Sequence, residues 1–281
     1  MSIQGKITVI EPPSGWFTLN WHEVWRYRDL LLLLVRRDFV ALYKQTILGP
    51  IWFVIQPIMT TLVFTLVFKN IAGISTDGLP GVLFYMAGIT CWNYFSESLT
   101  KTSETFTTNA AVFGKVYFPR VIVPLSIVVS GLLKFGVQFI LFLLFLGYYL
   151  LAGEDIQMNW TVALFPVLII LMGMIGLGMG MIISSMTTKY RDLRFLLQFG
   201  VQLAMYATPV IYPLSTLPEK YQFILKLNPL SPIMETFRHG FLGVGQFDIW
   251  HLGYAAVFAV VIMLAGTFIF NRVEKTFMDT V

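Results

Sequence analysis

A single cysteine, Cys91, stands among 281 residues, so neither an intrachain disulfide nor a cysteine-based metal cluster is available to this chain. Histidine is nearly as scarce, and His22, His239 and His251 are scattered along it. Charged residues make up only 12% against 57% hydrophobic, with a mean hydropathy of +0.74. That balance excludes a soluble domain of this length and places the chain among integral membrane proteins. Also missing are H-E-x-x-H, G-x-S-x-G and any phosphate-binding loop. Catalysis or ATP hydrolysis by this polypeptide alone is therefore not expected, and no cofactor site is read in it. The N-terminal run MSIQGKITVIEPPSG has no apolar core and no small-residue cleavage site, so it does not read as a cleaved signal peptide. No internal repeat is visible, which counts against the inverted-repeat secondary transporters.

Six apolar stretches are long enough, at roughly 20 residues, to cross a hydrocarbon core about 30 Å thick. They lie near 51–70, 80–100, 121–151, 160–186, 194–213 and 251–271. An even number puts both termini on one side. Of the 19 Lys and Arg residues, 14 fall in the terminal and alternate connecting segments, four (Lys69, Lys220, Lys226 and Arg238) in the opposite set, and Lys134 inside a span. The richer side is expected to be cytoplasmic, with both termini there. The net charge of +4 is then a topology signal and needs no nucleic acid to explain it.

The chain enters the first span through Leu42–Pro57, where a basic segment ending at Lys44 gives way to Gly49-Pro50 and an apolar run. A proline in a first helical turn costs little, since its missing N–H has no partner there anyway. Before it, residues 1–20 read as a lead-in. Residues 21–41 carry only six consecutive apolar residues, Leu30–Val35, between basic clusters. This reads as an amphipathic helix, either at the cytoplasmic headgroup level with Trp21, Trp25 and Tyr27 as anchors or as a cap on the bundle.

In the second cytoplasmic segment Glu97, Lys101 and Glu104 share one helical face. A short helix at about 107–119 follows, starting near Asn109 and closed by Pro119. Val112, Phe113, Val116 and Tyr117 would be exposed on it, which calls for a docking partner. The fourth span holds Gly173, Gly176, Gly178 and Gly180, spaced for close helix approach. The external segment, about 213–245, combines Pro213, Pro218, Pro229 and Pro232 with helical spacing in YQFILKL and PIMETFRHGFL, which predicts two short helices, dipping back or lying on the outer face.

Ionisable groups at membrane depth are few. Lys134, alone in its span, could hold an anionic group or snorkel to the cytoplasmic interface, and snorkelling is the expectation. Neutral polar and aromatic side chains are better represented: Gln56, Thr60, Phe64 and Phe68 recur four apart in the first span, and Gln198, Gln202 and Tyr206 in the fifth. Each set shares a helix face. Phenylalanines so placed usually pack, but amides and a phenol beside them suit a water-accessible surface where sugars stack and exchange hydrogen bonds.

Four separated patches give the chain a recognisable outline. They are Tyr43-Lys44-Gln45-Thr46 with Leu48-Gly49-Pro50, Trp52 and Gln56-Pro57; Asn109 with Val116-Tyr117-Phe118-Pro119-Arg120 and Pro124; Lys189-Tyr190-Arg191-Asp192; and Asn228-Pro229-Leu230-Ser231-Pro232 with Glu235 and Phe237-Arg238. In order and spacing they resemble the membrane permease subunit of type 2 ABC exporters of polysaccharides, the family that moves O antigens, teichoic acids and capsules. The resemblance implies an all-α ABC-2 type permease in the cytoplasmic (inner) membrane, a homodimer bound to two copies of a cytoplasmic ABC ATPase. ATP and Mg would sit on that partner. Asn109, Val112, Phe113, Lys115 and Tyr117 would belong to the coupling helix that docks on it. It also implies an N-terminal interface helix and short external gating helices. Many relatives carry an acidic residue after Phe-Pro-Arg, where this chain has Val121.

A glycan on an undecaprenyl diphosphate carrier is the substrate so implied. Among the inner basic residues, Arg36, Arg37 and Lys44 are the candidates to attract the diphosphate. The positive-inside rule accounts for the same charges without any substrate. The competing readings are an ABC-2 exporter of a drug or small lipid and, from another class, a membrane-embedded glycosyl- or acyltransferase.

Overall fold

The computed structural model describes residues 21–44, 49–113, 118–190 and 192–277. Among them are eleven α-helices and no strand: α1 (Trp21–Arg26), α2 (Arg28–Tyr43), α3 (Trp52–Phe64), α4 (Gly81–Ser103), α5 (Thr105–Phe113), α6 (Ile122–Leu151), α7 (Phe165–Thr187), α8 (Leu193–Tyr206), α9 (Glu219–Lys226), α10 (Leu230–Leu242) and α11 (Ile249–Phe277). Residues 21–41, expected as one helix, are divided at Tyr27 between α1 and α2. α3 opens on a 3-10 turn, Gly49–Ile51, and runs on into a π-helical stretch, Thr65–Ile71.

Six crossings were expected, and four helical runs among the described residues are long and apolar enough to cross a membrane: Trp52–Ile71, Ile122–Leu151, Trp160–Thr187 and Ile249–Glu274. The other two stretches differ for separate reasons. α4 has 23 residues, about 35 Å at 1.5 Å per residue, but it carries Asn93, Glu97 and Lys101. It tolerates them because it lies at the centre of the bundle, buried over most of its length against α3, α6, α7 and α10. α8 has only 14 residues, about 21 Å, and ends in a bent segment before Tyr212.

Glycines set how closely the central helices approach. A Cβ at Gly180 would lie 2.5 Å from the Cβ of Thr102, and one at Gly176 2.9 Å from the Cβ of Ser98, so α7 rests directly on α4. Gly178 faces the other way. Its Cβ would fall 2.6 Å from the carbonyl oxygen of Ile262 on α11, so α7 is sandwiched at backbone contact on both sides.

Aromatic rings close both ends of the bundle. At one end Phe139 of α6 stacks on Phe165 of α7 at 4.3 Å, and both meet Phe237 and Phe241 of α10. At the other, Phe106 of α5 stacks on Phe270 of α11 at 4.4 Å.

The two short helices expected in 213–245 form as α9 and α10. α10 does not lie on the outer face: every residue in it except His239 is buried. Its ends are held by side chains. Asn228 Oδ1 accepts the Leu230 amide at 3.0 Å while its Nδ2 donates to Thr208 Oγ1 and the Ala207 carbonyl, and Asn159 Nδ2 donates to the His239 carbonyl at 2.9 Å. The Asn228-Pro229 patch thus starts α10 and ties it to the end of α8.

Candidate functional site

The polar stripe of α3 divides into two parts. Gln56 is exposed, and the Thr60 hydroxyl donates back to the Gln56 carbonyl at 2.9 Å. Phe64 and Phe68 instead pack edge to face at 5.2 Å and meet the ring of Tyr85 on α4. On α8 no residue is buried, and Gln198, Gln202 and Tyr206 are all exposed on its surface. Neither amide has a hydrogen-bond partner among the described residues. Two free amides on a membrane helix are expensive against acyl chains, so this face suits water, a polar ligand or a second polypeptide.

On α2, Leu34 and Val35 are buried, and the helix packs on α6. Arg36, Arg37 and Lys44 are exposed, with Arg37 forked onto neighbouring Asp38 at 2.8 and 3.0 Å. Arg37 is therefore partly neutralised, and Arg36 and Lys44 are left as the more open cations. Among the described residues α2 packs chiefly on α6, whereas α8 packs on α4 and α7.

Lys134, read as solitary, has an acidic partner. Its Nζ sits 2.8 Å from Glu97 Oε2, while Lys101 takes Glu97 Oε1 at 2.6 Å. Glu97 pairs with Lys101 as the helical spacing required. Glu104 does not extend that row: it lies in the break between α4 and α5, its carbonyl accepting from Thr107 and Thr108. One carboxylate thus serves two lysines, and partial burial makes it costly to remove. We expect Glu97→Gln to lower stability by about 1–3 kcal/mol in detergent unfolding, and Glu97→Leu with Lys134→Leu to recover part of that loss.

The short helix expected at 107–119 is α5, which begins earlier, at Thr105. Lys115, Val116 and Tyr117, and the side chain of Val112, lie outside the described residues. Phe113, expected to be exposed, is buried, packed on Phe106 and Phe118 with the Arg120 guanidinium over its ring. Asn109 donates to the Thr105 carbonyl at 3.0 Å and so steadies the helix itself. Arg120 also reaches α11, donating to the Glu274 carbonyl at 2.8 Å, with the Glu274 carboxylate 3.7 Å away. Val121 therefore does not leave Arg120 without an acid. The α4–α5 junction is further fastened to α7, since Ser184 Oγ accepts the Phe106 amide and Thr187 Oγ1 donates to the Ser103 carbonyl. α5 and its junction with α4 are thus bonded to α7 and stacked on α11.

Sequence reasoning placed Arg238 among external charges, but it is fully buried. Its guanidinium lies 3.9 Å over Phe84, and its two terminal nitrogens donate to the carbonyls of Pro209 and Val210 just beyond α8. Gly88 makes the room: a Cβ there would lie 2.8 Å from Arg238 Nη2. Glu235, equally buried, lies 3.5 Å from Nη1. Arg238 thus joins the start of α4 and the segment after α8 to α10.

The profile of the ABC-2 type transporter family matches residues 29–242. The chain belongs to that family. Among ABC-2 relatives, the O-antigen export system permease protein RfbA of Myxococcus xanthus is 29% identical over 262 residues, 92% of this chain and 98% of its own length. RfbA of Klebsiella pneumoniae is 26% identical over 251 residues, covering 89% and 94%. A more distant relative, the polysialic acid transport protein KpsM of Escherichia coli, is 20% identical over 251 residues, covering 88% and 94%. This chain is thus a multi-pass, all-helical ABC-2 membrane protein, and its relatives are transport components.

Proposed function

We propose that this chain is the channel-forming permease subunit of an ATP-driven exporter that moves undecaprenyl-diphosphate-linked polysaccharide from the cytoplasmic to the outer face of the inner membrane. The observation that carries the reading is the α8 face, where Gln198 and Gln202 expose unpartnered amides beside Tyr206 on a helix without a buried residue. A homodimer that sets this face and Gln56 of α3 around a common path gives those groups water and sugar hydroxyls, while Tyr206 supplies a stacking surface. Weak, repeated contacts of this kind let a polymer slide. The export permeases among the relatives, aligned over about nine tenths of the chain, support the same substrate class.

In this reading six segments cross the membrane: α3 with its π-helical continuation, α4 shielded inside the bundle, α6, α7, α8 with its bent extension, and α11. Both termini are cytoplasmic by the distribution of Lys and Arg. α1 and α2 lie at the inner headgroups, where Arg36, Arg37 and Lys44 attract the carrier diphosphate. Two copies of a separate ABC ATPase bind ATP and Mg and push on α5, whose anchors to α7 and α11 transmit the stroke.

Replacing Gln198 and Gln202 together with leucine tests the path. Surface polysaccharide should fall by about tenfold at unchanged permease level, the factor that about 1.4 kcal/mol of added barrier represents. Normal export by that variant contradicts the placement of the path. Co-purification of an ABC ATPase with the tagged full chain is the companion expectation.

A further inference from the structure

The outer end of the molecule holds a groove with chemistry that packing does not account for. One lobe, of about 280 Å³, is lined by Phe223 and Lys226 of α9 and by Trp250, His251 and Tyr254 of α11. It shares Lys226 and His251 with a second lobe of about 590 Å³ that reaches Glu235, Gln246 and Asp248. Three features set this groove apart. Trp250 is 83% exposed, Phe223 is 66% exposed, and the Tyr254 hydroxyl is pinned to the Leu227 carbonyl at 2.9 Å, so three aromatic rings line the lobe and one of them is held in place. Two carboxylates line the deeper lobe. Asp248 accepts from His251 Nδ1 at 2.6 Å and from the Trp250 amide at 2.8 Å, bonds that hold its carboxyl below the usual range and keep it ionised. Glu235 is 2% exposed, yet its Oε1 accepts no hydrogen bond, and the nearest cation, Arg238 Nη1, is 3.5 Å off.

An interfacial belt explains exposed tryptophan and tyrosine near a helix end. It does not account for Asp248 and Glu235, two carboxylates in the adjoining lobe, beside Lys226 and His251, which line both lobes. Aromatic faces beside carboxylate acceptors match a sugar: its C–H face stacks on the ring and its hydroxyls donate to the oxygens. We propose that this groove binds saccharide units of the exported polymer as they emerge, with Trp250 as the stacking platform and Asp248 and Glu235 as hydroxyl acceptors. The proposal rests on the export reading and adds an exit site to it. Holding emerging sugars outside biases the chain against slipping back between strokes.

The test uses the full chain with its ATPase in nanodiscs of zwitterionic lipid, titrated with delipidated surface polysaccharide from the strain that carries the gene. Wild type should bind saturably. Trp250→Ala should weaken binding by about tenfold and Trp250→Phe by much less, a split that a purely structural role would not produce. Asp248→Asn, which keeps a side-chain oxygen to cap α11, should also weaken it. Absence of saturable binding, equal affinity in Trp250→Ala, or displacement of the glycan by phosphatidylglycerol overturns the site. If the site fails while deletion of the gene still removes surface glycan, the export reading stands without it. Surface glycan indifferent to the deletion overturns both.

Discussion

Arg238→Met is expected to be the most damaging single substitution around α10. The variant keeps the volume and removes the cation. It leaves the buried Glu235 carboxylate with no other side-chain cation within 4 Å among the described residues, and it strips the carbonyls of Pro209 and Val210 of their donors. Breaking a buried pair by removing one partner costs about 3–5 kcal/mol, and each orphaned carbonyl adds about 1–3 kcal/mol. Against a total stability of about 5–15 kcal/mol that is enough to lose the fold or most of the membrane-inserted protein. Arg238→Lys should fall between, because an ammonium keeps the charge but lacks the planar fork that spans two carbonyls. Glu235→Gln should be milder again: Gln still accepts from the Gln246 amide at 3.1 Å, and Arg238 keeps both carbonyls and the Phe84 face. Melting temperature in detergent, with membrane abundance by blot, checks the order. Arg238→Met as stable as wild type would show that the pair does not hold α8 to α10.

The second large effect is expected at Gly178. A Cβ there meets not a flexible side chain but the carbonyl of Ile262, at 2.6 Å, with Met263 N at 2.8 Å, so α7 and α11 must separate to admit it. Overpacking a tight core costs about 1–3 kcal/mol when side chains adjust, and a backbone obstacle puts Gly178→Val at or above the top of that range. Gly136→Ala on α6 is the matched control, since nothing lies within 4 Å of its added Cβ. It should change stability by no more than about 1 kcal/mol. Size-exclusion profile and melting temperature of the two variants distinguish tight packing from general intolerance of glycine replacement.

Much of this architecture is legible in the sequence because it depends on local pattern. Apolar length marked the long helices, and Gly176 and Gly180, four apart, marked the α7 surface that meets α4. The spacing in YQFILKL and PIMETFRHGFL foretold α9 and α10. What the pattern hides is the identity of tertiary partners. Lys134 looked solitary because Glu97, its partner, is 37 residues away in the chain. Phe113 looked exposed because a short helix does not say what lies behind it; Phe106 and Phe118 supply that answer only after folding. Arg238 was counted with external charges by its place in a loop, whereas α10 turns inward and buries it. Of the six apolar stretches, four combine length with apolarity among the described residues, whereas α4 is long enough but carries charge shielded by its neighbours, and α8 is short. A lone cation within an apolar helical pattern, as at Lys134 and Arg238, was the available signal that a buried acid should be sought.

The central claim is that this chain exports polysaccharide, and deletion of its gene tests it most directly. Glycan is labelled on intact and on permeabilised cells of the deletion strain, with complementation by the full chain. Polymer that accumulates inside, is absent from the surface and returns to it on complementation is the expected result. Surface polymer at the normal level would contradict the account, and polymer absent from both compartments would point to a biosynthetic enzyme in place of a transporter.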